Sequence, residues 1–80
     1  MKIILNLNLR GTEEKISQKG KPYLTVNTED KETGEPLRFY CLKQDSFNEF
    51  KKLKRGEDYD FVFDIWSNSL SLVGVQLGNN

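Results

Sequence analysis

Residues 37–65 read LRFYCLKQDSFNEFKKLKRGEDYDFVFDI, and the apolar period changes twice within them. Leu37, Phe39 and Cys41 alternate with Arg38 and Tyr40, the two-residue period of a half-buried strand. From Phe47 the apolar positions become Phe47, Phe50 and Leu53, the stripe of one helix face. Ser46 three residues ahead of Glu49 fits a capping box, in which each side chain satisfies a free backbone N–H at a helix start. Lys51, Lys52, Lys54 and Arg55 suit the negative end of the helix dipole, and Gly56 suits the C′ position beyond it. A helix of about ten residues, Ser46 to Arg55, is predicted. The period then returns to two, with Tyr59, Phe61, Phe63 and Ile65 alternating with Asp58, Asp60, Val62 and Asp64.

Strand, helix, strand is thus the central order, and the flanks add strands on both sides. Upstream, Leu5, Leu7 and Leu9 alternate with Asn6, Asn8 and Arg10, predicting a strand over 3–10 that can continue through Thr12 to Ser17 past a glycine kink at Gly11. Ser17 to Pro22 reads as an exposed loop. In residues 23–28, Leu24 and Val26 face one way and Tyr23, Thr25 and Asn27 the other, and a Thr33-Gly34 turn joins this strand to Leu37–Leu42 as a hairpin. Downstream, Ser67-Asn68-Ser69 predicts a turn, Leu70 to Leu77 a fifth strand, and residues 78–80 a frayed tail. Three strands, one short helix and two strands on short loops predict an all-β fold, a five-stranded Greek-key OB barrel with its helix between strands three and four.

Composition agrees with one small β domain over residues 1–80. Leu, Ile, Val and Phe make up 23 of the 80 residues, and alanine, the residue helices use most freely, is absent. The apolar runs are too short to span a bilayer and no leader pattern follows Met1, so a cytoplasmic location is expected. One cysteine forbids an internal disulfide, and with no histidine the usual zinc ligand sets are missing. Histidine is also the commonest acid–base group near neutrality, so no enzymatic activity, no metal and no cofactor are expected.

Net charge is zero, but it is laid out in blocks. Residues 1–22 carry +3, residues 23–36 carry −3, residues 37–56 carry +4 and residues 57–80 carry −4. Such blocks can fold into a particle with one basic face, or intermix in space. On the outward parity of strands two and three, Tyr23, Thr25, Arg38 and Tyr40 set aromatic rings beside a guanidinium. That combination suits a single nucleic-acid strand, whose bases stack and whose phosphates need cations. Cross-strand pairing on an ordinary exposed sheet face would use the same residues. Lys19 and Lys21 stand on the turn before Tyr23, with Arg10, Lys15 and Lys43 on nearby segments, and Trp66 adjoins the loop that borders the groove in OB barrels. The helix-end cluster Lys51, Lys52, Lys54 and Arg55 either touches nucleic acid or merely serves the helix dipole. Asp58, Asp60 and Asp64 share one strand face, read as solvated and set away from any DNA groove. Cys41 reads as a small buried apolar residue.

The segment Ser17-Gln18-Lys19-Gly20-Lys21-Pro22-Tyr23-Leu24 resembles the Gln-Gly-Lys-Pro-Tyr stretch of filamentous-phage gene V proteins, small OB-fold proteins that coat single-stranded DNA as homodimers. The resemblance spans about eight residues and implies that Lys19, Lys21 and Tyr23 lie on the DNA-binding side. The helix of residues 46–55 departs from that family and is more similar to general OB single-strand binders of phages and plasmids. The function expected is sequence-tolerant binding of single-stranded DNA, with RNA as the other candidate, in phage or mobile-element replication. Ile4, Leu42 and Val62, on outward parity, are the expected cover of a homodimer interface. The alternative is an OB or SH3-like module that binds a protein through a sheet edge and no nucleic acid.

Overall fold

Leu5, Leu7 and Leu9 place three branched side chains on one face of the first strand, and the other strands assemble around that strand. The computed structural model of the chain describes residues 1–67 and 69–76. Strand β1 runs Lys2–Ile16, β2 Pro22–Glu29, β3 Pro36–Cys41, β4 Asp58–Trp66 and β5 Ser69–Gln76, with one short helix, α1, at Phe47–Lys51. The strands form one open antiparallel sheet in the order β3-β2-β1-β4-β5. The N-terminal half of β1 pairs β4 from Lys2↔Asp64 to Asn8↔Asp58, and its C-terminal half pairs β2 from Asn8↔Glu29 to Ile16↔Pro22. The β1–β2 register shifts between Leu9 and Gly11, so Arg10 is the extra residue of a bulge. Beyond it Thr12, Glu14 and Ile16 inherit the inward parity that Leu5, Leu7 and Leu9 held before it.

The sheet curls strongly. Phe39 of β3 and Phe63 of β4 lie three strand spacings apart in the sheet, about 14 Å if it were flat. Their ring centroids are 4.6 Å apart. The concave side is the core, built from Leu7, Leu9, Leu24, Val26, Cys41, Phe47, Phe50, Phe61, Phe63 and Leu72. Phe50 of the helix is fully enclosed and stacks over Phe61 with centroids 6.5 Å apart. The inward parities expected for the first four strands hold in this core, and Leu72 is the residue that the fifth adds to it.

The helix is shorter than expected and is not capped as expected. A 3₁₀ turn, Gln44–Ser46, leads into it, and the Ser46 N–H already donates to the Lys43 carbonyl at 3.0 Å. Ser46 therefore adopts helical angles, φ −95° and ψ −6°, rather than the extended ones an N-cap needs, and its side chain makes no capping bond. At the other end the Leu53 N–H reaches back only to the Phe50 carbonyl, and the Lys54 N–H donates to the Tyr59 hydroxyl at 3.0 Å. Gly56 serves β1 rather than the helix: at φ +91° its N–H donates to the Leu9 carbonyl at 2.7 Å, while the Leu9 N–H donates to the Glu57 carbonyl at 2.9 Å. These two bonds extend the β1–β4 ladder past Asn8 and leave no room for a longer helix.

The hairpin turn lies where Thr33-Gly34 signalled it. Asp30 Oδ1 accepts from the Glu32 and Thr33 amides, and Gly34 at φ +76° donates to the Asp30 carbonyl at 2.8 Å. The expected residues of the tail, 78–80, together with Leu77 and Asn68, lie outside the described residues.

Candidate nucleic-acid interface

Direct cross-strand partners share a face, so the register builds the outer surface of β1, β2 and β3 row by row. One row is Lys15–Tyr23, the next Glu13–Thr25–Tyr40, the third Gly11–Asn27–Arg38. Tyr23 and Tyr40 are diagonal neighbours and meet edge to face, with centroids 5.9 Å apart and planes at 62°. Tyr40 is the open ring of the pair, 53% exposed. The Arg38 Nε–H donates to Asn27 Oδ1 at 2.9 Å, which orients the guanidinium, and among the described residues its two terminal amino groups have no partner and can grip an anion. Asn27 is thus a positioning residue that sequence reading left out; its signal was outward parity directly opposite Arg38.

The loop before Tyr23 is closed on itself. The Ser17 N–H donates to the Lys21 carbonyl at 2.8 Å, the Gly20 N–H to the Ser17 carbonyl at 2.9 Å, and the Lys21 N–H to Ser17 Oγ at 3.2 Å. Lys19 and Lys21 are exposed on this loop, and no ion pair engages either ammonium among the described residues. A hollow of about 330 Å³ beside it is lined by Ser17, Lys21, Pro22, Tyr23 and Leu42. A second, of about 370 Å³, runs along β3 between Asn27, Leu37, Arg38 and Tyr40.

Three of the expected contact residues, Thr25, Arg10 and Trp66, do not lie with Tyr23 and Tyr40 on the open surface. Thr25 has outward parity but is only 2% exposed, because its row neighbours Glu13 and Tyr40 cover it, and its hydroxyl donates to the Glu13 carbonyl at 3.0 Å. It supports the tyrosine platform from beneath and is not a surface contact. Arg10 is exposed at the bulge, just beyond the Gly11–Asn27–Arg38 row and not beside the tyrosines. Trp66 is 70% exposed at the far end of the sheet, beyond the Lys2↔Asp64 pair, whereas Tyr23 lies opposite Lys15 at the other end of β1. Its indole N–H donates to Asp64 Oδ2 at 3.0 Å. Lys15 lies opposite Tyr23 and faces Glu13 at 3.6 Å, an exposed pair of about 0–1 kcal/mol that a phosphate can displace. Lys43 is exposed just past β3. Of the residues expected to cover a dimer contact, Ile4 and Val62 are direct partners on the β1–β4 ladder, while Leu42 lies apart beside Tyr23.

The acidic strand face forms a bonded network on the other half of the sheet. Asn6 Nδ2 donates to Asp60 at 2.7 Å, Asn8 Nδ2 to Asp58 at 2.9 Å, and the Lys31 ammonium to Asn6 Oδ1 at 2.6 Å and Asp58 at 3.3 Å. No three acidic or cysteine side chains converge as a ligand set among the described residues. The Asn8 amide foremost, then the Lys31 ammonium, hold the Asp58 carboxyl below its ordinary value of 3.8. A lowered folded value stabilises the fold above 3.8 and loses that contribution as the pH falls through the folded value. Asn8→Ala is therefore expected to raise the Asp58 pKa in an NMR titration, and its destabilisation should be larger near neutral pH than below 3.8. A pKa unmoved by the substitution would remove the Asn8 bond as its cause. Burial pushes the Cys41 thiol up, so it stays protonated and inert.

No family model, no curated protein and no solved structure matches the chain. The site is therefore read from its own geometry. Among the described residues no helix is long and apolar enough to cross a membrane.

Proposed function

We propose that this chain is a non-enzymatic, sequence-tolerant single-stranded DNA-binding protein acting in phage or mobile-element replication. The observation that carries this reading is the Tyr23–Tyr40 pair, one ring open to solvent, with Arg38 held by Asn27 on one side and Lys19 and Lys21 on the other. Every base offers a π face to such a platform, and bases stacked inside a duplex do not. The protein then stabilises whatever strand is already open.

The fold belongs in this proposal as a Greek-key OB barrel. A first strand paired on both sides, a helix between strands three and four, and the curl that brings Phe39 onto Phe63 all support it. So does the hollow bounded by Tyr40 to Lys43 on one side and Ser71 to Val73 on the other, where the two edge strands approach. In a homodimer, as in the coating proteins the loop resembles, Ile4 and Val62 would supply the apolar contact.

Lys15, Lys19, Lys21, Arg38 and Lys43 allow about four or five phosphate contacts, a log-log salt slope near −3. Raising salt from about 50 to 200 mM should then weaken oligo-dT binding about 60-fold to 100-fold, read by anisotropy of labelled DNA. Equal affinity for duplex of the same length would sink the proposal. A polypeptide ligand whose binding ignores salt would instead select the sheet-edge module, with β3 as its docking edge.

A further inference from the structure

The cations of this chain divide into those matched by an acid and those that are not. Lys15 faces Glu13, Lys31 faces Asp58 and Lys51 faces Glu14. Arg10, Lys52, Lys54 and Arg55 are exposed, and none of them is in an ion pair among the described residues. The sequence separates Arg10 from the other three by more than forty positions, but the fold joins them. The Leu9 carbonyl accepts from Gly56 and the Leu9 N–H donates to Glu57, so Leu9 faces Gly56 and Glu57 together, and Arg10 and Arg55 are the chain neighbours of these bonded residues.

This cluster also borders the tyrosine surface. Arg10 precedes Gly11, Gly11 is opposite Asn27, and Asn27 is opposite Arg38. From Arg38 to β1 is two strand spacings, about 10 Å. The row between holds only Asn27 and Gly11, with the Glu13 carboxylate of the next row facing Lys15, and at Gly11 it is bare: a side-chain carbon placed there would meet nothing within 4 Å. A polyanion leaving Arg38 along this row meets no side chain at Gly11 on its way over the bulge to the next group of unmatched positive charge.

We propose that Arg10, Lys52, Lys54 and Arg55 form a second phosphate-binding patch, which takes the same single strand after it crosses the sheet at Gly11. The proposal rests on the single-strand reading above and adds a path to it. A short oligonucleotide fills the tyrosine platform alone, whereas a long one reaches the patch and gains its charge contacts.

The test uses oligo-dT of about 4 and about 16 nucleotides, the bounds of what one OB-sized domain covers. The native chain is compared with the triple variant Arg10→Gln, Lys54→Gln, Arg55→Gln, whose fold is checked by circular dichroism. Three lost contacts should make the long-oligonucleotide salt slope shallower by about 2, so a fourfold rise in salt weakens the variant about 16-fold less than the native chain. The 4-mer should bind both proteins alike. A long-oligonucleotide slope the same in both proteins overturns the second patch while leaving the tyrosine site standing. An equal loss for the 4-mer overturns it too, since the cluster would then belong to the first site. Absence of binding by the native chain at either length would end both readings together.

Discussion

Phe50→Ala is expected to leave little folded protein. The ring is fully enclosed, stacked over Phe61 and neighboured by Phe47, so its removal opens a cavity that a five-residue helix cannot collapse to fill. Truncating a buried phenylalanine costs about 3–5 kcal/mol. A chain of this length has roughly 4–12 kcal/mol in all, at about 0.05–0.15 kcal/mol per residue. Chemical denaturation followed by circular dichroism should show the midpoint collapse or the transition vanish at room temperature. A loss under about 1 kcal/mol would mean that Phe50 does not fasten the helix to the sheet. Phe50→Leu, which keeps most of the volume, should recover a large part of the stability.

Tyr40→Ala should weaken single-strand binding by about 1–3 kcal/mol, roughly 5-fold to 150-fold, at constant salt slope. The ring is 53% exposed and lies outside the core cluster, so the stability loss should be small beside the loss of binding, with the folded fraction checked by circular dichroism. Tyr40→Phe should retain most of the affinity, because the stacking face survives while only the hydroxyl is lost. Tyr23→Ala acts twice, removing a ring and the edge that steadies Tyr40, so the double variant should lose less than the two single losses combined. Trp66→Ala is the internal comparison, since that indole is tied to Asp64 at the opposite end of β1. A loss at Trp66 matching that at Tyr40 would move the strand to the β4 face and sink the tyrosine platform.

Much of this surface was legible residue by residue. The outward parity of Tyr23, Arg38 and Tyr40 followed from a two-residue period, and the turn chemistry of Ser17 to Pro22 put Lys19 and Lys21 on a loop. Parity does not give exposure, however. Thr25 has the same parity as Tyr23 but is buried, because the residues opposite it on two other strands happen to be Glu13 and Tyr40. The capping-box pattern of Ser46 and Glu49 failed for a related reason: whether a serine caps depends on how the chain arrives, and here it arrives through a 3₁₀ turn.

The sequence alone determined which residues of the first four strands face inward ahead of the Arg10 bulge, how many strands there are, and that a helix interrupts them between the third and the fourth. These properties are local: side-chain direction repeats every two or every 3.6 residues whatever lies across the sheet. Only the tertiary structure decided how far β1 runs past Gly11, where the helix stops, and which cations face acids and which stand free. Those depend on register between segments distant in the chain, above all on two backbone bonds at Leu9 that end the helix region, extend the ladder and bring Arg55 to Arg10.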